Sequence, residues 1–170
     1  MRRLGRRSRS SGLTSLAIAL ALAAGAGFVL KPSGRSLEGR AQVTDGDTIR
    51  IGEARIRLKG IDAPEMEQRC SRTGGSYACG ETSRRTLIDL VSGETVRCRA
   101  TGRDRYQRIL ASCTVNGRDI GAHMVEEGWA VSYGRDYDHE ETRARNRSAG
   151  LWAGEFTRPQ DWRRQRAQGS

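Results

Sequence analysis

Apolar and polar residues alternate along three short stretches, 41–44, 48–51 and 54–61, and the period of two predicts β-strands. Asp45-Gly46-Asp47 joins the first pair and Gly52-Glu53 the second, both in the chemistry of tight hairpin turns. In the third stretch Arg55, Arg57 and Lys59 alternate with Ile56 and Leu58, so one strand face is basic and the other apolar. The period then changes. Over 81–91, Leu87, Ile88, Leu90 and Val91 turn one side of a helix toward a core, with Gly93 beyond its end. Alternation returns over 94–100 and 109–115 and stops at an Asn116-Gly117 turn. Asp119 is placed to cap a helix in which Ile120, Met124 and Val125 recur until Gly128, and Met124 and Trp129 read as core. Residues 138–149 form a charged helix with Glu140 and Glu141 near Arg143, Arg145 and Arg147. Leu151, Trp152 and Phe156 close the fold. Three strands, a helix, two strands and two helices predict a small closed barrel, α+β and mainly β, with the helices on one side.

The ends of the chain follow other rules. Arg2, Arg3, Arg6, Arg7 and Arg9 precede an uncharged, mostly apolar run over 13–30, long for a signal core and just long enough to span a bilayer. A cleaved signal peptide and a retained N-terminal anchor both fit residues 1–30. Either keeps the arginines cytoplasmic and exports the rest, to the periplasm or beyond, and the anchored form would hold to the inner membrane through 13–30. Residues 31–40 read as a polar linker, 41–162 as the folded domain, and 163–170 as a basic tail, with everything after Pro159 expected to fray. The only membrane contact expected is through the N-terminal segment, and the domain is expected to be a monomer.

Charge sharpens this division. The formal net charge is +10 with a pI near 10.4, which by itself invites a nucleic-acid partner. Yet residues 1–40 carry eight basic side chains and one acid, and 157–170 carry four and one. The body, 41–156, has eighteen of each and is neutral. Phosphate binding by the body must therefore come from individually placed arginines, not from a bulk field. Export also changes how the four cysteines read. They allow three pairings. Cys70–Cys79 and Cys98–Cys113 are favoured, because each joins segments that local structure already brings close. A zinc site would need CxxC-like spacing or neighbouring histidines, and His123 and His139 fall elsewhere.

Three islands carry the chemistry: Asp45-Gly46-Asp47-Thr48, Arg57 with Asp62-Ala63-Pro64-Glu65, and Asp104-Arg105-Tyr106-Gln107-Arg108. Alone, Asp-Gly is ordinary hairpin chemistry, and an Asp–Arg pair beside a tyrosine is ordinary turn chemistry. Together they mean more. Pro64 forces Ala63 into an extended conformation, so Asp62 and Glu65 can be aimed from a strand end into one site. Crowded carboxylates repel unless a cation compensates them, and oxygen donors without His or Cys suit Ca²⁺ or Mg²⁺. Arginine forks bind phosphate oxygens bidentately.

Taken in order, the islands resemble the staphylococcal nuclease family: an Asp-Gly-Asp-Thr turn, an arginine five residues before Asp-x-Pro-Glu, then Asp-x-Tyr-x-Arg. Gly128-Trp129-Ala130 and Gly150-Leu151-Trp152 are similar to later landmarks of that family, and the resemblance runs over about 41–162. It implies an OB-fold, a five-stranded β-barrel with about three helices. It implies a Ca²⁺-dependent nuclease that hydrolyses DNA, RNA or both with water. Asp47 and Asp62 would be carboxylate ligands of Ca²⁺, Thr48 would add its backbone carbonyl, and Asp45 would lie in the outer shell. Glu65 would be the general base for water or would position it, Arg57 and Arg108 would grip the scissile phosphate, and Arg105 and Tyr106 would contact substrate. Two positions depart from the pattern. Gln107 stands where the family usually has Gly, which threatens the aim of Arg108 if the turn needs positive φ. Ala63 replaces a threonine. The alternative from another class is a non-catalytic OB-fold module binding nucleic acid or protein at the cell surface. It would want aromatic platforms on the barrel, and the predicted strands carry no aromatic residue.

Overall fold

The alternating stretches become strands whose apolar faces turn inward and close on one another. In the computed structural model, which describes residues 35–169, β1 (Ser36–Asp45), β2 (Thr48–Ile51) and β3 (Ala54–Leu58) form an antiparallel meander. After it come β4 (Ile61–Asp62), β5 (Cys70–Arg72), β6 (Gly75–Tyr77) and helix α1 (Cys79–Val91). Then follow β7 (Thr95–Arg103), β8 (Ile109–Val115), β9 (Arg118–Asp119) and α2 (Ile120–Glu126). The chain ends with β10 (Val131–Ser132), α3 (Asp138–Asn146), a 3₁₀ turn (Gly150–Ala153), β11 (Gly154–Glu155) and α4 (Pro159–Gln168).

The first half of β1 pairs with β7 and its second half with β2. β7 pairs with β8, and β8 returns to β3 in parallel, Ile56 opposite Ile109 and Leu58 opposite Ala111. That last pairing closes β1, β2, β3, β7 and β8 into the five-stranded barrel, the OB-fold architecture expected. Ile49, Ile56, Leu58, Val96, Ala111 and Val115 fill it, and α1 (Leu87, Val91) and α2 (Ile120, Met124, Val125) cover one end. Each large aliphatic so buried contributes about 1.5–3 kcal/mol. Both favoured disulfides form. Cys98–Cys113 ties two barrel strands, and Cys70–Cys79 ties β5 to the start of α1.

Several elements differ from their expected bounds. The stretch 54–61 is not one strand, because Gly60 adopts φ +80° and turns the chain between β3 and β4. A side chain at Gly60 would also meet Asp136 and Tyr137, with a Cβ only 2.7 Å from the Asp136 side chain. The break lets β4 leave the barrel and pair with β10, Asp62 opposite Val131. The cysteine loop contains the β5–β6 hairpin, to which β11 adds a third strand. Residues 36–40, read as linker, are the half of β1 that pairs with β7. The segment after Pro159 is not frayed: it is α4, a fourth helix that extends through most of the supposed tail 163–170. No helix among the described residues is long and apolar enough to cross a membrane. The leader at 1–30 lies outside the described residues.

Candidate active site

One rim of the barrel, where β1 turns into β2 and β3 breaks into β4, gathers the first two islands. A bulge between Val43 and Asp45 shifts the β1–β2 register just before the Asp-Gly-Asp turn. The turn packs directly on α1. Gly46 is required there, since a Cβ would fall 2.1 Å from the Ser83 hydroxyl and 2.7 Å from the Ala63 side chain. Ser83 itself is fully buried and donates to the Trp129 carbonyl at 2.7 Å. The close fit drives Asp47 inward. Its carboxylate is almost wholly buried and accepts from the Thr48 hydroxyl at 3.0 Å and the Ala63 amide at 3.2 Å. Asp45 stays at the edge and accepts the Asp47 amide at 3.0 Å.

Arg57 links the two strand ends. Its Nη1 donates to Asp47 Oδ1 at 2.6 Å and its Nη2 to Asp62 Oδ1 at 2.8 Å. Asp62 is buried at the end of β4. Burial pushes the Asp47 carboxyl up to about 7; Arg57 pulls against that shift, while Asp45 and Asp62 push further up. Burial alone would lower Arg57, but the Asp47 and Asp62 carboxylates reverse this and raise it. Arg57 is thus firmly charged, and still does not offset the cost of holding Asp47 ionised.

Glu65 follows Pro64 on an ordered turn. The buried Gln68 accepts the Glu65 amide at 3.3 Å, donates its own amide to the Glu65 carbonyl at 2.8 Å, and ties the turn to the Thr157 carbonyl at 2.7 Å. This leaves the Glu65 carboxylate half exposed beside Asp62. Between them stands a residue that the sequence did not suggest. Arg163, on α4, donates through Nη1 to Glu65 Oε1 at 2.7 Å and Asp62 Oδ1 at 3.1 Å, and through Nη2 to Asp62 Oδ2 at 3.0 Å.

The third island approaches from the β7–β8 turn. Gln107 has φ +62°, so the turn does need the left-handed region, at a cost of about 1–2 kcal/mol for a non-glycine residue. Arg108 is nonetheless held in place. Asp104 accepts the Tyr106 and Arg108 amides, both at 2.9 Å, and grips Arg108 Nε at 2.7 Å. Those bonds outweigh burial and hold the Asp104 carboxyl below its ordinary range. Arg108 Nη1 then reaches the Thr48 hydroxyl at 3.3 Å, which brings the third island to the first. Arg105 and Tyr106 are not drawn into the carboxylate cluster. They stack on each other, guanidinium to ring 4.8 Å, on the exposed side of the turn.

Four carboxylates (Asp47, Asp62, Glu65, Asp104) contact three guanidiniums (Arg57, Arg108, Arg163), and Asp45 stands beside Asp47, so the carboxyl groups outnumber the guanidiniums by two. The donors are all oxygen. Among the described residues no three His, Cys, Asp or Glu side chains are gathered tightly enough to hold a metal ion by themselves. A hard cation that completes its shell with a backbone carbonyl and water fits such a set, whereas zinc does not.

A five-stranded OB barrel with buried carboxylates bridged by arginines at one rim defines the class of domain. Residues 55–154 match the family described as Staphylococcal nuclease homologue, and the chain belongs to that family. It is similar to the succinoglycan biosynthesis protein ExoI of Rhizobium meliloti (strain 1021), 37% identical over 121 residues, 67% of this chain and 63% of that protein. It is similar to an uncharacterized endonuclease of Haemophilus influenzae, 35% identical, covering 73% of this chain and 71% of the relative. Protein ParB of Escherichia coli is 33% identical over 92% of this chain and 94% of its own length. The chain thus spans less than two thirds of the first of these relatives and most of the other two.

Proposed function

We propose that the domain is a Ca²⁺-dependent nuclease that hydrolyses phosphodiester bonds with water, acting outside the cytoplasm. The observation that carries this is the Asp47–Arg57–Asp62 bridge, two buried carboxylates spanned by one guanidinium, with Glu65 and Arg108 on the same rim. Asp47, Asp62 and the Thr48 carbonyl would hold the cation, with Asp45 in its outer shell. When bound, the cation supplies positive charge against the phosphoryl oxygens. The chain's own residues do the rest. Arg57 and Arg108 present donors already oriented by Asp47, Asp62 and Asp104, so they stabilise charge as it builds on the phosphate without having to reorganise. Glu65, half exposed on its Gln68-braced turn, orients a water and takes its proton. Arg105 and Tyr106, out on the turn, are available to the substrate beyond the scissile bond. The family resemblance and the endonuclease name of the Haemophilus influenzae relative support the same reading. Export rests on the pattern of the leader alone.

Because water attacks, the 2′-hydroxyl takes no part. Single-stranded DNA and 2′-O-methyl RNA should be cleaved alongside RNA, with rates within about an order of magnitude. Gel analysis of the three end-labelled substrates in CaCl₂ checks this. Cleavage confined to 2′-hydroxyl RNA would contradict water as the nucleophile and point to the 2′-hydroxyl, whose proton Glu65 would then take in place of water's.

A further inference from the structure

α4 is an unusual element to find ordered. It has no apolar stripe, and its only buried residue is Pro159 at its first turn. What fixes it is a set of polar anchors. Gln68 donates to the Thr157 carbonyl just before it, and Arg158 pairs with the buried Glu141. From that fixed start, Arg163 reaches the rim of the barrel and closes on both Asp62 and Glu65.

Between them the arginines occupy both oxygens of Asp62. Oδ1 is shared by Arg57 and Arg163, and Oδ2 is held by Arg163 alone among the contacts of this rim. A cation drawing on Asp62 must compete with that guanidinium. Arg163 also differs from Arg57 in setting. The Arg57 side chain is 18% exposed and sits inside the barrel rim, while Arg163 is 37% exposed, on α4, with solvent beside it.

We infer that Arg163 is a built-in competitor for the cation, a guanidinium whose hold on Asp62 Oδ2 and Glu65 Oε1 must give way when the metal binds. The inference rests on the assignment of Asp47 and Asp62 as cation ligands. It adds a coupling that this assignment lacks: one displacement frees a ligand oxygen and the water-activating carboxylate together. Arg163 acts through Asp62 and Glu65 and is a positioning residue.

The test is calorimetric titration of CaCl₂ into the full chain and three variants. Arg163→Gln should bind Ca²⁺ about tenfold more tightly, since the competing bidentate contact is gone. Arg163→Lys keeps the charge but cannot span both Asp62 oxygens, and should fall between, about threefold tighter. Arg164→Gln removes the same charge one residue along, from an exposed position paired with Asp161, and should stay within about twofold of the parent. Equal or weaker binding by Arg163→Gln would overturn the inference, as would equal tightening by Arg164→Gln, which would reduce the effect to net charge. Absence of binding in both the parent and Arg163→Gln would instead overturn the cation assignment beneath it.

Discussion

Glu65→Gln is expected to lower the turnover of nucleic-acid hydrolysis about a thousandfold, roughly 4 kcal/mol of barrier, and to leave the fold intact. The turn that presents Glu65 is built from main-chain groups and Gln68, not from the Glu65 carboxylate. The amide therefore keeps the shape and loses the proton acceptor. Among the described residues the Glu65 carboxylate pairs with Arg163, so Ca²⁺ affinity should change by no more than about threefold, toward tighter binding. Single-turnover cleavage at saturating Ca²⁺, set beside calorimetry, separates the two quantities. Turnover above about a tenth of the parent rate would remove Glu65 from the chemistry and leave it as a surface carboxylate.

Arg57 should behave differently, with stability and turnover lost together in Arg57→Ala. Asp47 and Asp62 are nearly solvent-free and Arg57 bridges them; Asp62 keeps Arg163 when Arg57 is removed, so the loss falls on Asp47. Removing one member of a buried ion pair leaves an uncompensated charge, at a cost of about 3 kcal/mol. The same change removes a preoriented donor to the phosphate, worth about 10²–10³ in rate. Added Ca²⁺ should restore part of the stability, because a cation on the two carboxylates binds the folded chain and not the unfolded one. Arg57→Lys is the informative partner. A single ammonium compensates the charge but cannot bridge both carboxylates, so it should lose about 1 kcal/mol of stability and most of the turnover. Thermal melts with and without CaCl₂, beside the cleavage assay, read both effects. A stable, Ca²⁺-indifferent Arg57→Ala would contradict the arrangement of charge described for this rim.

Much of the barrel is legible in the chain because its logic is local. Ile49, Ile56, Leu58, Val96 and Val115 alternate with polar neighbours, and burying one face of each strand leaves little freedom of register. The disulfides follow for the same reason, since each joins near neighbours. The approach of Arg108 survives Gln107 through Asp104, which was in view as part of the third island. Where legibility fails, the cause lies far along the chain. Gly60 breaks its strand at φ +80°, and the space a side chain would need there is taken by Asp136 and Tyr137, which nothing near Gly60 in sequence announces. Arg163 meets Asp62 across 101 residues of sequence. Its helix is held by ion pairs and not by an apolar stripe, so hydrophobic periodicity is blind to it. One signal was available: Pro159 stands at the first helical turn with Asp161 close behind, the usual chemistry of a helix start. A tail that is polar and arginine-rich reads as solvated until there are carboxylates for it to meet.

If this rim cleaves nucleic acid with the help of a hard divalent cation, cleavage must follow the cation. The full chain is incubated with end-labelled single-stranded DNA or RNA, first with a chelator and then with CaCl₂ in excess. Substrate should stay intact under chelation and be cleaved on adding Ca²⁺, with Glu65→Gln about a thousandfold slower in Ca²⁺. Substrate left whole in CaCl₂, or cleavage that persists under chelation, would contradict cation-dependent cleavage at this rim.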